Sequence, residues 1–277
     1  MDRVNLGEDM ILPYIQAIGC MALGFCLLMG LAWVVQQRTG NSGWVDAIWS
    51  YSCGLVGAAG ALWPLAGSLP GRQALVAGLV LLWSVRLGTH IARRSAAGID
   101  DPRYANYARE WGADAPRRMF FFLQSQALVS LPLPFAVFLA AHAPAPGLRL
   151  QDYIGIVIVL IAVAGEALAD RQLRLFKRHP SSKGQVCDVG LWRWSRHPNY
   201  FFEWLGWLAY PVIALSSGYA WGWASLAAPV IMYWILVHVT GIPPLEEQML
   251  RSRGERYRRY QARTSAFFPW PPRQASR

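Results

Sequence analysis

Long stretches of this 277-residue chain lack charge almost entirely. That absence excludes an ordinary soluble domain, whose surface mixes both signs throughout. Cysteine is also sparse. The four present are Cys20, Cys26, Cys53 and Cys187, with no C-x-x-C pair and no Cys/His ligand spacing. We therefore read neither a disulfide framework nor a metal site. The N-terminus opens with Asp2, Glu8 and Asp9 and lacks the basic segment and small-residue cleavage site of a signal peptide. The first apolar run is thus expected to remain as a span. No internal repeat of fixed period and no long low-complexity linker is visible, which leaves one all-helical domain over 1–277 as the expected organisation.

Hydrophobic residues make up 54% of the chain, 14 residues are Trp, and the apolar residues come in blocks. Runs of about 18 or more apolar residues read as membrane spans. Seven emerge, at Leu12–Val35, Trp44–Ala66, Ala74–Ala92, Phe120–Ala141, Tyr153–Leu173, Asn199–Leu215 and Trp221–Val239. A Ser216–Ser217–Gly218 turn makes a helical hairpin of the last two. With the N-terminus outside, the cytoplasmic segments 36–43, 93–119, 174–198 and 240–277, with Arg171, hold 22 of the 26 Lys and Arg residues. The outside segments hold Arg3, Arg72 and Arg149. This asymmetry predicts seven spans with the C-terminus in the cytoplasm. It also explains the net charge of +10 without nucleic acid. The small-residue run Gly54–Gly60 suits close helix approach.

Ionisable groups inside spans are costly unless they face a cavity or a partner. Asp46 lies at the start of the second span, on one helix face with Ser50, Cys53 and Gly57. Two readings fit it: a cavity-lining carboxyl able to donate a proton, or a carboxylate favoured by the helix dipole. On the fifth span, Glu166, Asp170, Arg174 and Lys177 recur at i, i+4, i+8 and i+11, with Arg171 and Arg178 alongside. This face is either a ladder of ion pairs or a polar wall for a charged ligand.

The block Ser195-Arg196-His197-Pro198-Asn199-Tyr200-Phe201-Phe202-Glu203 opens the sixth span. Pro198 suits a first helical turn, whose free N–H groups favour an anion. Arg196 supplies a fork for phosphate. Asn199 and Glu203 share a face. An interfacial anchor explains the aromatic residues of this block but not Glu203. The tail carries Tyr257 and Tyr260 at i, i+3, which is either an amphipathic helix on an anionic membrane surface or a cover closing a ligand site. His90, His142, His179 and His238 read as structural or interfacial.

The R-H-P-N-Y-x-x-E block, the basic helix before it and the Y-x-x-Y-x-x-R-T-S-x-F-F-P tail resemble the steroid 5α-reductase superfamily, specifically a bacterial branch without an assigned function. Trp44-Val45-Asp46-Ala47, Asp101-Pro102-Arg103-Tyr104 and Arg171-Gln172-Leu173-Arg174 are similar to that branch too. The resemblance spans nearly the whole chain and is densest from Glu166 to Pro269.

The resemblance implies seven helices around NADPH, which enters from the cytoplasm, and a lipophilic enone arriving through the bilayer, a 3-oxo-Δ4-steroid or another lipid. Hydride would pass to the β-carbon of the enone while an acidic group polarises its carbonyl. It implies cofactor contacts from Glu166, Asp170, Arg174, Lys177, Arg196, His197, Asn199, Glu203 and Tyr257, in residues 151–277, with the substrate side in 1–150. The family's Gln-Glu pair on the second helix and Tyr on the third are not found. Asp46 is the acidic candidate for catalysis, Trp83 stands near the Tyr position, and Arg86 and Arg93 are placed to meet cofactor phosphates. The implied location is a bacterial inner membrane, with lipids as neighbours and no obligatory protein partner. Two other readings compete: an S-adenosylmethionine-dependent methyltransferase of the isoprenylcysteine carboxyl methyltransferase type, which shares an R-H-P-x-Y-x-x-E block, and a non-catalytic sterol or lipid binder. No paired interrupted helices in two related halves suggest a transporter.

Overall fold

Proline does much to decide where the helices of this chain begin and break. The computed structural model describes residues 8–273, and all the regular elements among them are helical. In order they are α1 (Glu8–Thr39), α2 (Gly43–Ala61), α3 (Pro70–Ala96), α4 (Pro102–Trp111), α5 (Ala115–Ser130), α6 (Pro132–Ala141), α7 (Leu150–Arg178), α8 (Pro198–Trp207), α9 (Ala209–Ala214), α10 (Ala227–Trp234), α11 (Ile242–Arg253) and α12 (Glu255–Arg263). Pro70, Pro102, Pro132 and Pro198 each open a helix, where a missing N–H costs nothing. A 3-10 turn at Ala220–Leu226 leads into α10, and a π turn at Ile235–Val239 follows it.

Among the described residues, five helical stretches are long and apolar enough to cross a membrane: Ile11–Thr39, Pro70–Ala96, Arg103–Ala141, Leu150–Arg178 and Ala220–Arg253. They fit an integral membrane protein. The expected second and sixth spans are not among them, for two different reasons. Over its 19 residues α2 carries Asp46, two serines and four glycines, and most of it is buried by other helices rather than turned outward. The sixth is interrupted at Leu208, because Pro211 has no N–H for the carbonyl of Trp207. The expected fourth span is likewise divided at Leu131, ahead of Pro132 and Pro134.

The chain forms two compact units. One holds the described residues up to Tyr153 with Tyr210–Ala227; the other holds Ile154–Ala209 and the described residues from Ala228. In the first, α2 packs against α1, α3 and α6. Its glycines make this possible. A Cβ added at Gly54 would lie 2.1 Å from Ser84 Oγ, and one at Gly60 would lie 2.7 Å from Met21 Sδ. The Gly54–Gly60 run is therefore a close-approach face, as its small residues predict.

The same unit contains an ion pair between two fully buried side chains. Arg72 Nε donates to Asp152 Oδ1 at 2.9 Å and Nη2 to Oδ2 at 3.1 Å. The remaining guanidinium capacity goes to the carbonyls of Ala143 and Gly147 at 2.7 and 2.6 Å. Asp152 Oδ2 also accepts from the Arg149 backbone N–H at 2.6 Å. A buried charge is tolerable only when its hydrogen-bonding capacity is filled in this way. The pair ties the start of α3 to the start of α7.

Gly54→Ala should destabilise the detergent-purified protein by about 1–3 kcal/mol, because the added methyl overpacks the α2–α3 contact. Gly78→Ala, on an exposed face of α3 with nothing within 4 Å, should be neutral or mildly stabilising. Thermal unfolding of the two variants checks this; equal melting temperatures would show that the glycine face is not tightly packed.

Candidate functional site

The fifth-span face divides by burial. Glu166 and Asp170 are 5% and 7% exposed, whereas Arg174 and Lys177, one and two turns further along α7, are exposed. Ring atoms of Phe202 lie 2.4 Å from the position of a Cβ at Gly165, and Ala162 Cβ lies 3.4 Å from one at Gly206. Helices α7 and α8 therefore touch along a Gly165–Phe202 and Ala162–Gly206 seam. Glu166 and Glu203 are the chain neighbours of Gly165 and Phe202, so the two acidic positions sit at the same level of the seam. Glu203 is also buried, and its Oε1 accepts from Trp207 Nε1 at 3.0 Å. Asn199 is half-buried one turn before it. Three buried carboxylates thus belong to one pair of helices, and every one of them has further interactions.

Arg196 has a different place from the open phosphate fork expected of it. Its Nε donates to Glu246 Oε1 at 2.6 Å and its Nη2 to Oε2 at 3.3 Å. Its Nη1 donates to the carbonyls of Gln261 and Thr264 at 3.1 and 2.6 Å. His197 Nε2 lies 3.2 Å from the same carboxylate, and Gln261 Nε2 donates to it at 2.7 Å. Tyr257 is buried against Glu246 and Arg196. Arg196, His197 and Tyr257 therefore come together as a clasp on the tail, with Glu246 at its centre. Burial holds the His197 imidazole below its ordinary value, against the opposing pull of Glu246. Burial likewise pushes the phenols of Tyr257 and Tyr260 up.

The backbone completes the clasp. The Arg196 N–H donates to Ser265 O at 2.8 Å and the Trp270 N–H to Trp194 O at 3.0 Å. Ser195 Oγ donates to Phe267 O at 2.8 Å, and the Tyr260 hydroxyl donates to Trp192 O. Phe267 and Phe268 then join Phe201, Trp204 and Tyr233 in one edge-to-face aromatic cluster.

In the other unit, Asp46 is an ion-pair partner. Arg103 Nη2 donates to its Oδ2, and the Tyr104 hydroxyl donates to its Oδ1 at 2.7 Å. Asp101 caps α4, its Oδ1 accepting the Arg103 N–H at 2.9 Å, and its carboxylate binds the Arg103 side chain as well. The two motifs Trp44–Ala47 and Asp101–Tyr104 therefore meet. Arg86 is half-buried on α3 and Arg93 is exposed in its last turn.

Sequence reading missed Glu246, Gln261, Arg103 and Tyr104 as partners. Glu246 lay in a tail read for its basic and aromatic residues. Arg103 lay in what reads as a loop, although Asp101-Pro102 is a helix-start signal. No local signal points to the Arg72–Asp152 pair, since the partners are 80 residues apart.

A family model described as a protein of unknown function, DUF1295, matches residues 32–264. The chain belongs to this family. The match runs from within α1 to the end of α12, so it contains both motif pairs and the whole of α7 and α8. A fission-yeast relative, the uncharacterized protein C594.04c of Schizosaccharomyces pombe, is 27% identical over 274 residues, covering 88% of this chain and 77% of that protein. No solved structure matches.

Glu246→Gln leaves the Arg196 guanidinium without its counter-charge and should cost roughly 3 kcal/mol. The pH dependence has a definite sign. His197 has a depressed pKa in the fold, so its stabilising share is full above about pH 6.5 and is lost as pH falls below it, where the unfolded ring takes a proton that the buried one resists. The wild-type melting temperature should fall over that range and fall less in His197→Asn. A parallel fall in both would show that another group carries the acid sensitivity.

Proposed function

We propose that this family member is an NADPH-dependent membrane reductase of a C=C bond conjugated to a carbonyl, acting on a lipophilic enone that enters from the bilayer. The observation that carries the reading is the division of the α7 face, with carboxylates buried along it and bases exposed at its end. When bound, NADPH supplies the hydride that reduces the β-carbon. The residues present suit such a ligand. Arg174 and Lys177 are exposed cations for its phosphates. Glu166, Asp170 and Glu203 are acceptors for ribose hydroxyl and amide donors, and Asn199 can both donate and accept. Arg196, His197 and Tyr257 serve as positioning residues, holding the start of α8 through the tail clasp.

On the substrate side Asp46 is the acidic candidate. Paired with Arg103 and Tyr104, it acts through those donors rather than as a free acid. All of these residues lie within 32–264, the matched range. The motif resemblance to steroid 5α-reductases supports the same reading. For topology we propose seven spans with the N-terminus outside and the C-terminus in the cytoplasm of a bacterial inner membrane, on the 22-of-26 distribution of Lys and Arg.

Thermal shift of the detergent-purified protein with NADPH, NADH and S-adenosylmethionine tests the reading. NADPH should stabilise most. Asn199→Ala should weaken NADPH roughly tenfold with the unliganded melting temperature little changed; Glu203→Ala should weaken it similarly and also lower that temperature, because the Trp207 indole loses its acceptor. Asp46→Asn should bind NADPH normally and turn over an enone panel more slowly; an unchanged rate would remove Asp46 from the chemistry. Stabilisation by S-adenosylmethionine alone would move the family to methyl transfer, and binding of lipids without any reduction would make it a binder.

Expressed in a bacterial host, a C-terminal green fluorescent protein fusion should fluoresce, and alkaline phosphatase fused at the same point should stay inactive. The opposite pattern would invert the topology.

A further inference from the structure

A cavity of about 450 Å³ opens between α12 and the 185–188 segment of the second unit. Arg256, Arg259 and Arg263 face it from one stripe of α12, spaced i, i+3, i+7. Its other surfaces include Asp188 and the rings of Phe176 and Tyr260. Two of the three guanidinium groups have protein partners. Arg256 Nη1 donates to Gly184 O at 3.1 Å, and Arg263 donates to Asp188 Oδ2. Arg259 lies exposed between them. The floor is fixed, because the Tyr260 hydroxyl donates to Trp192 O. Three guanidinium charges against one carboxylate leave the lining at +2.

We propose that this cavity binds a phosphomonoester. A phosphomonoester carries close to two negative charges near neutral pH and three acceptor oxygens, which matches the excess charge of the lining. Guanidinium forks suit its geometry. The half-buried ring of Phe176 gives the organic part of the ligand an aromatic surface. A phosphodiester, with one charge, would leave the lining half neutralised. Two sources share this chemistry: a soluble phosphate ester, or a lipid with a terminal phosphate in the adjoining membrane. None of the lining residues is assigned to the cofactor in the proposal above, so the inference stands apart from that reading.

The experiment uses the full-length purified protein without nicotinamide cofactor. Phenyl phosphate is titrated calorimetrically as the soluble probe. As the membrane probe, the protein is placed in nanodiscs of phosphatidylcholine with or without phosphatidic acid, and lipid enrichment around it is measured. Arg259→Gln and Arg256→Gln should raise the dissociation constant for phenyl phosphate, or lower phosphatidic acid enrichment, roughly tenfold, at unchanged melting temperature. The control Arg251→Gln, which removes an exposed pair with Glu247 on α11, should have no effect. Loss in the soluble arm identifies a soluble ester, and loss in the lipid arm a headgroup. Binding that is equal in all variants, or absent for both probes at millimolar concentration, overturns the proposal.

Discussion

Five protein groups converge on the Arg196–Glu246 pair: the carbonyls of Gln261 and Thr264, the Gln261 amide, the His197 ring and the Tyr257 phenol. A charge pair this shielded is stable only with its remaining donors and acceptors filled. The filling groups come from the start of α8 and from α12 with its C-cap Thr264, while Glu246 itself comes from α11. The geometry of those three segments is therefore a condition of satisfying one guanidinium. The backbone bonds from Arg196 to Ser265 and from Trp270 to Trp194 can form only once that condition is met. The aromatic cluster of Phe201, Trp204, Tyr233, Phe267 and Phe268 then has a fixed frame to pack on.

This changes what the R-H-P-N block does. Read in isolation, an arginine next to a helix N-terminus is an anion site. Here the fork that would meet the anion is occupied by Glu246. The block fixes the entry of α8, and so fixes which way Asn199 and Glu203 project. The N-terminal unit shows the same economy. Arg72 and Asp152 satisfy each other between helix starts, and Asp46 is gripped by Arg103 and Tyr104. Across both units, charged groups at helix ends recur as fasteners for neighbouring segments.

That recurrence explains what sequence could and could not disclose. The apolar runs, the Ser216–Gly218 turn and the glycine face of α2 were legible, because each depends on residues close together in the chain. The breaks at Leu131 and Leu208 were legible only in part, since the prolines are visible in the chain but which helical turn yields to them depends on packing. The polar face of α7 was legible as a pattern, but its division into buried acids and exposed bases was not. Burial depends on what packs there, and the seat of Phe202 on Gly165 has no local signature. Partners such as Glu246 for Arg196 are 50 residues away and carry no motif of their own.

The division of the α7 face also bears on which ligand the second unit would suit. Here the acids at 166 and 170 are buried and the bases at 174 and 177 are exposed. Burying carboxylates costs free energy that apolar side chains of the same size would not incur. That cost is offset by interactions within the protein, which both carboxylates have; a ligand rich in hydroxyl and amide donors, as proposed, would add to them. A ligand that is anionic at one end and donor-rich in its middle matches both halves of the face. S-adenosylmethionine carries no phosphate and offers Arg174 and Lys177 a single carboxylate, whereas NADPH, as proposed, offers several phosphate charges. The exposed bases are thus the feature on which the proposal of a dinucleotide rests.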